Sequence, residues 1–340
     1  MRILVIDHLG LRGHVNVNTV FLRALSEIGS VTLATFAEYH RHFTVADRID
    51  IPDKHTPDKH VSGMSRISNR AKLMRSLSYV LQNAKMDDYD LTFFPCYEVI
   101  SFALGWPRKY RAFLFEHGEK IPRRWFKDIC YKRLGNNVSH LAYMEHTADF
   151  ITRNYGRRAY KIPYSYDRKG FSELPPENGT SLGGAPKRRK VIFCPSASNQ
   201  KVMTDNLISL VSENDEYYLI AKGKVNQRGD SYELRTFFDD YEEQLRRSDY
   251  VFFGGQYSYR VSGPVFEALS YGKPAIILDC LFGRELKKMY PCSVILVSEI
   301  AEIKSIQIDH AGICEEHKRF LRDHSFERAK QELLGAFTSG

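Results

Sequence analysis

Short apolar runs alternate with helix-spaced apolar positions along almost the whole chain. Ile3-Leu4-Val5-Ile6, closed by Asp7, is the pattern of a strand buried on both faces. A loop carrying Gly10 and Gly13 follows. Val17, Val20, Phe21, Ala24, Leu25 and Ile28 then recur at helical spacing up to Gly29, where a helix-terminating glycine belongs. Residues 31–35 form a second strand. Strand, glycine loop, helix and strand in that order open a Rossmann-like sheet. The alternation predicts a helix over 66–84 and strands at 91–94 and 112–115 around a short helix at 97–104. A helix from Pro122 to about 134 follows, then a strand at 139–143 and a helix ending near Gly156. Residues 46–64 read as a polar surface loop, and the echoed Pro-Asp-Lys-His at 52–55 and 57–60 lacks the complement of a metal site.

Glycine, proline and the run Lys187-Arg188-Arg189-Lys190 crowd residues 170–190, an exposed connecting stretch. The alternation then restarts. Strands fall at 191–194, 217–220, 250–253, 274–278 and 293–297, helices at 201–212, 237–247 and 264–271, and the chain is helical from Glu315. The pattern is α/β, with two Rossmann-like domains facing across a cleft. They are expected at 1–165 and 166–340, the terminal helix packing back on the first.

Composition narrows the class. The 340 residues are 43% hydrophobic and 26% charged, which excludes wholesale disorder. No window approaches the ~18 apolar residues of a membrane span, and the N-terminal run ends without a cleavage motif, so it reads as a strand. Six scattered cysteines with no C-x-x-C pair read as buried free thiols in a reducing, cytoplasmic compartment. The formal net charge of +8 favours an anionic partner. Basic residues gather in 106–133 (Arg108, Lys109, Arg111, Lys120, Arg123, Arg124, Lys127, Lys132, Arg133), interleaved with Trp106, Tyr110, Trp125, Phe126 and Tyr131. Such a face suits an anionic membrane surface, equally with a solvated charged helix. On the first of these readings the protein is cytoplasmic and peripheral on the inner face of the cell membrane. No helix-turn-helix, zinc-finger, RNP or KH pattern points to nucleic acid.

The chemistry concentrates in 245–288. A strand leads into a Gly-rich loop, then Ser262-Gly263-Pro264 opens a helix carrying Glu267 in its first turn, and Gly272-Lys273-Pro274 turns into the next strand. Ser262 is a suitable N-cap, and the first-turn amides suit a diphosphate. Glu267 either accepts hydrogen bonds from a ribose diol or offsets the helix dipole. No Asp-x-Asp pair stands at a strand end, and the adjacent pairs Asp87-Asp88 and Asp239-Asp240 read as surface, so no metal site is expected.

This stretch resembles the C-terminal domain of GT-B glycosyltransferases of the GT4-like kind. Ser248 to Phe252 matches the family's "A-D-x-F" region, and Glu267-Ala268-Leu269-Ser270-Tyr271-Gly272-Lys273-Pro274 matches its "E-A-M-A-x-G-K-P". Looser echoes run in order along the chain. Phe115-Glu116-His117-Gly118 resembles the family's first-domain His loop, and 161–167 its domain joint. Phe193 to Lys201 is similar to its phosphate-binding segment, and 320–337 to its terminal helix. The resemblance implies a nucleoside diphosphate sugar, UDP- or GDP-linked, as donor substrate, with no permanently bound cofactor. It places Ser196, Lys201, Tyr259, Arg260, Ser262, Gly263, Pro264 and Glu267 around the donor, and His117, Lys201 and Arg260 in catalysis. Gly10, Arg12, Gly13 and His14 fall at the acceptor. Two departures stand out: Tyr259 occupies the position of the family glutamate that touches the donor sugar, and Ser196 that of a family arginine. The resemblance implies a retaining, metal-independent transfer to a saccharide or lipid-linked acceptor in surface polysaccharide or glycolipid assembly. A non-catalytic nucleotide-sugar-binding subunit supporting a partner transferase is the alternative, and a sugar epimerase of the same fold a third.

Overall fold

The computed structural model describes residues 1–10, 14–57, 65–116, 125–165, 188–196, 201–255 and 257–339. The chain forms two compact units, one comprising Met1–Arg168 with His324–Gly340 and the other Lys169–Asp323.

In the first unit the strands are β1 (Arg2–Ile6), β2 (Ser30–Phe36), β3 (Asp47–Ile51), β4 (Leu91–Phe94), β5 (Ala112–Phe115), β6 (Val138–Ala142) and β7 (Ala159–Lys161). They lie in the order β3-β2-β1-β4-β5-β6-β7, and every pairing among the described residues is parallel. Parallel strands joined by helices are covered on both faces, which explains why Leu4, Phe93, Phe113 and Leu141 are all fully buried. β3 lies inside the stretch expected to be a loop. It is an edge strand whose Asp47, Arg48 and Asp50 are exposed, so its sequence carries no apolar run. Helix α1 (Val15–Ile28) packs on the last helix of the chain, α12 (Phe326–Ser339). Phe337 of α12 sits 4.7 Å from Phe113, ring to ring, and the Arg111 guanidinium donates to its carbonyl. Lys330 pairs with Glu27 at 2.7 Å, and Arg23 lies over the Phe326 ring at 4.1 Å.

The second unit holds β8 (Lys190–Cys194), β9 (Tyr217–Lys222), β10 (Gln227–Arg228), β11 (Tyr232–Arg235), β12 (Tyr250–Phe253), β13 (Ala275–Leu278) and β14 (Val294–Val297). Their order is β10-β11-β9-β8-β12-β13-β14. The short β10 is antiparallel to β11, and the other pairings are parallel. The helices α7 (Lys201–Ser212), α9 (Gly263–Ser270) and α11 (His310–Asp323) flank them. Leu207 and Leu210 of α7 fill one face of the sheet with Ile192, Leu219, Phe252 and Ile276. Each such side chain, fully buried, contributes about 1.5–3 kcal/mol. The helix expected over 237–247 is shorter, α8 (Tyr241–Arg247); Arg235 Nη1 donates to both Asp240 oxygens at 3.0 Å across the preceding turn. A helix that periodicity did not bring out, α10 (Leu281–Met289), follows β13.

Candidate active site

In an open α/β sheet, ligands bind at the carboxyl ends of the strands where the strand order reverses, because the loops there leave in opposite directions. In the second unit that point lies between neighbouring β8 and β12. The loop after β8 carries Ser196 and leads to Lys201, the first residue of α7; both are exposed. The loop after β12 begins with Gly254. A Cβ there would fall 1.5 Å from the Met203 sulfur, so a side chain at this position would have to displace the methionine that α7 packs onto this loop. The loop continues through half-buried Tyr259 and exposed Arg260 to Ser262. Arg260 makes no ion pair among the described residues. Cys194, at the end of β8, is fully buried, and burial pushes its thiol up to about 12; it is no nucleophile at neutral pH.

Ser262 occupies the N-cap of α9 with extended backbone, but its side chain makes no capping bond. Pro264 stands in the first turn, where a missing N–H costs nothing. The positive end of α9 therefore has no side-chain oxygen of Ser262 upon it, an arrangement suited to an anion. Glu267 is the fifth residue of α9, beyond the first turn, which contains no acidic residue. This corrects the first-turn placement and removes the dipole-offsetting explanation. Glu267 is held instead by the Tyr241 hydroxyl, which donates to it at 2.7 Å. Tyr241 in turn lies against Phe193 of β8, with ring centroids 5.6 Å apart. Sequence reasoning missed Tyr241: an exposed-looking tyrosine between acidic residues gives no signal of a partner 26 positions away.

The corresponding point of the first unit lies between β1 and β4. Asp7 and His8 follow β1, and both are fully buried. Asp7 accepts from the backbone N–H of Leu9 at 3.2 Å and Gly10 at 3.0 Å, and from the Asn18 amide at 2.7 Å. Gly10 has φ +55, a left-handed turn that glycine adopts without strain. So Asp7 to Gly10 form a turn braced by the Asp7 carboxylate. Burial pushes Asp7 up to about 6 and His8 down to about 4. Neither His8 ring nitrogen has a hydrogen-bond partner among the described residues. Sequence reasoning used Asp7 only as a strand terminator and passed over His8; a histidine directly after a buried run was the available signal. His14 is the N-cap of α1 without a side-chain capping bond. Arg12, Gly13 and His117 lie outside the described residues. Next to His117, Glu116 is buried and accepts from Tyr97 at 2.6 Å and from Tyr131 at 3.1 Å, and lies 2.9 Å from His140 Nδ1.

The basic, aromatic segment divides in two. Trp106 is buried and stacks on Phe102, and Tyr131 is fully buried, so these aromatics belong to the core. On α5 (Trp125–Lys132), by contrast, Trp125 is 76% exposed, and Phe126 and Ile129 are exposed beside it. Arg123, Arg124 and Lys120 lie outside the described residues. All six cysteines are free; Cys96, Cys130 and Cys194 are buried, while Cys280, Cys292 and Cys314 are only half-buried. Among the described residues no helix is long and apolar enough to cross a membrane.

No known family profile and no curated protein sequence matches the chain. Solved structures do. A sucrose-phosphate synthase from Thermosynechococcus elongatus superposes with a TM-score of 0.69 at 13% identity, over 100% of this chain and 98% of that one. HepE from Anabaena, crystallised with UDP-glucose, gives 0.66 at 13% identity over 100% of both chains. A glycosyltransferase from Rickettsia africae gives 0.66 at 12% identity over 99% and 98%. At these identities the likeness establishes the fold: this chain has the two-sheet GT-B fold of those glycosyltransferases.

Proposed function

We propose that the chain is a glycosyltransferase that takes a sugar from a nucleoside diphosphate sugar, UDP- or GDP-linked. The acceptor is a saccharide or lipid-linked molecule of surface polysaccharide or glycolipid assembly. The observation that carries this reading is Glu267, fixed by Tyr241 beside the N-terminus of α9 at the strand-order reversal of the second sheet. The same fold holds UDP-glucose in HepE, which supports a nucleotide-sugar donor.

In this reading the second unit binds the donor and the first the acceptor. Glu267 accepts hydrogen bonds from the ribose diol. The amides at Ser262 and Gly263, with Lys201 and Arg260, meet the negative charge that develops on the departing nucleoside diphosphate, a role that fixed cations and dipoles perform without a divalent ion. Tyr259 and Ser196 border the sugar and phosphate, Pro264 keeps the helix opening rigid, and His117 stands near the transferred sugar. Gly10, Arg12, Gly13 and His14 lie along the acceptor path. Retention at the anomeric carbon and independence of metal belong to the same proposal. The exposed Trp125, Phe126 and Ile129 support a membrane-facing first unit, since aromatics at a basic helix favour the lipid interface.

A thermal-shift screen with UDP and GDP, followed by transfer and hydrolysis assays over a donor panel, tests the reading. Ligand at ~100 times its Kd stabilises by ~2.7 kcal/mol. Absence of any shift overturns the reading. Tyr259, a residue without a carboxylate where the resemblance expects one, favours a second reading, a non-catalytic nucleotide-sugar-binding subunit. Binding without turnover over the whole panel selects it.

A further inference from the structure

The second unit contains a cavity of about 470 Å³ lined by none of the residues assigned to the donor. Its floor is Val191 of β8 with Tyr218 and Ile220 of β9, apolar or aromatic and adjacent in the sheet, Val191 pairing with Tyr218. Arg188, Arg189, Arg228 and Arg247 stand around it, with half-buried Arg235. Its cations are all arginines, and the carboxylate among its lining residues is Glu233, which is already committed to Arg235 at 2.7 Å.

The carboxylates that the other arginines meet are exposed ones at the surface, and Arg188 and Arg189 are steadied by backbone carbonyls. Arg228 is exposed and has no ion pair among the described residues. Arg247 pairs with exposed Glu243 at 3.1 Å. Arg189 pairs with fully solvated Asp215 at 3.3 Å and donates to the Asp230 carbonyl at 2.8 Å. Arg188 lies 3.9 Å from Asp249 and donates to the Arg247 carbonyl at 2.9 Å. Surface pairs of this kind contribute little and are readily exchanged for a stronger anion. Arginine forks match phosphoryl oxygens two at a time. The volume falls within the ~300–1,000 Å³ of small-molecule sites, and its concavity on an apolar floor suits a compact solute.

We propose that this cavity binds a small polyphosphorylated molecule whose uncharged ring or chain rests on Val191, Tyr218 and Ile220 while its phosphoryl groups draw in Arg228, Arg247 and Arg188. The site is separate from the donor crevice and does not depend on the glycosyltransferase reading.

The test is calorimetric titration of the full chain with inorganic tripolyphosphate in the presence of saturating UDP. Wild type is expected to bind it. Replacing the exposed pair by Arg228→Gln and Arg247→Gln should weaken binding at least tenfold while UDP affinity stays within twofold. Arg228→Lys, which keeps charge but loses the fork, should fall between. No binding by wild type, or equal binding by the double variant, overturns the proposal. If UDP fails to bind, the donor reading falls, and the arginine dependence is still read from titrations without it. Sedimentation with phosphatidic acid vesicles forms the second arm. Arginine-dependent vesicle binding without tripolyphosphate binding would overturn the assignment to a solute.

Discussion

The Tyr241 hydroxyl donates to the Glu267 carboxylate across 2.7 Å, joining α8 to α9 beside the end of β8. A carboxylate so held keeps one orientation and still has lone pairs for a second partner. Glu267→Ala should weaken UDP or GDP binding about 10–100-fold, the range expected for hydrogen bonds to a charged group. Tyr241→Phe should weaken it about fivefold, and should add nothing once Glu267 is gone. Calorimetry on the two single variants and the double decides this. Unchanged affinity in Glu267→Ala would reduce the pair to a structural link between helices.

Lys201 begins α7, and Arg260 lies in the loop before α9; both are exposed at the same reversal of strand order. If they meet the charge on the leaving diphosphate, Lys201→Ala and Arg260→Ala should each lower turnover. Loss of one charge-stabilising group typically costs ~10²–10³ in rate. Added Mg²⁺ or Mn²⁺ should not restore either variant, and EDTA should leave wild type active. Full activity in both variants, or strict metal dependence of wild type, places the phosphates elsewhere.

Trp125 and Phe126 lie exposed at the start of α5. Replacing both by Ala should release the protein from anionic vesicles in a sedimentation assay, as should neutralising Arg123, Arg124 and Lys127 together. Since Trp125 is 76% exposed, the aromatic change should move stability by less than about 0.5 kcal/mol. A wild type that does not sediment with such vesicles points to a soluble acceptor.

Asp7 and His8 are neighbours whose burial acts oppositely on pH dependence. Asp7, raised to about 6, keeps its proton better folded than unfolded, so its contribution to stability is lost as pH rises from about 4 to 6. His8, lowered to about 4, takes up a proton more readily unfolded, so its contribution grows as pH rises from about 4 to 6.5. Each amounts to ~3 kcal/mol at ~1.4 kcal/mol per pKa unit, and the two nearly cancel. Asp7→Asn should therefore leave stability climbing with pH over this window, and His8→Asn should leave it falling. Urea denaturation at pH 4.5 and 6.5 reads both slopes; parallel slopes in the two variants would contradict this account.

The architecture was largely legible in the sequence because buried parallel strands and one-sided helices carry strong periodicity. β1, β4, β5, β12 and β13 all announce themselves as apolar runs. The edge strands β3, β7 and β10, and β11 beside the two-residue β10, do not, since a strand at or near a sheet edge need not be apolar. The GT-B likeness was most specific at Glu267 to Pro274, where the end of α9, a left-handed glycine at 272 with φ +63 and the lead into β13 are compressed into eight positions.

By itself the sequence determined the alternation of strands and helices, the glycine turns and the residue types available at each loop, because these depend on neighbours a few positions apart. Only the tertiary structure decided what those residues meet. Parallel pairing brings Tyr241 to Glu267, buries Asp7 and His8 at the end of β1, and separates the core rings of Trp106 and Tyr131 from exposed Trp125. It also gathers arginines from positions 188 to 247 around one cavity. Burial and hydrogen-bond partnership are set by strand order, and strand order is a property of the whole sheet that no local window contains.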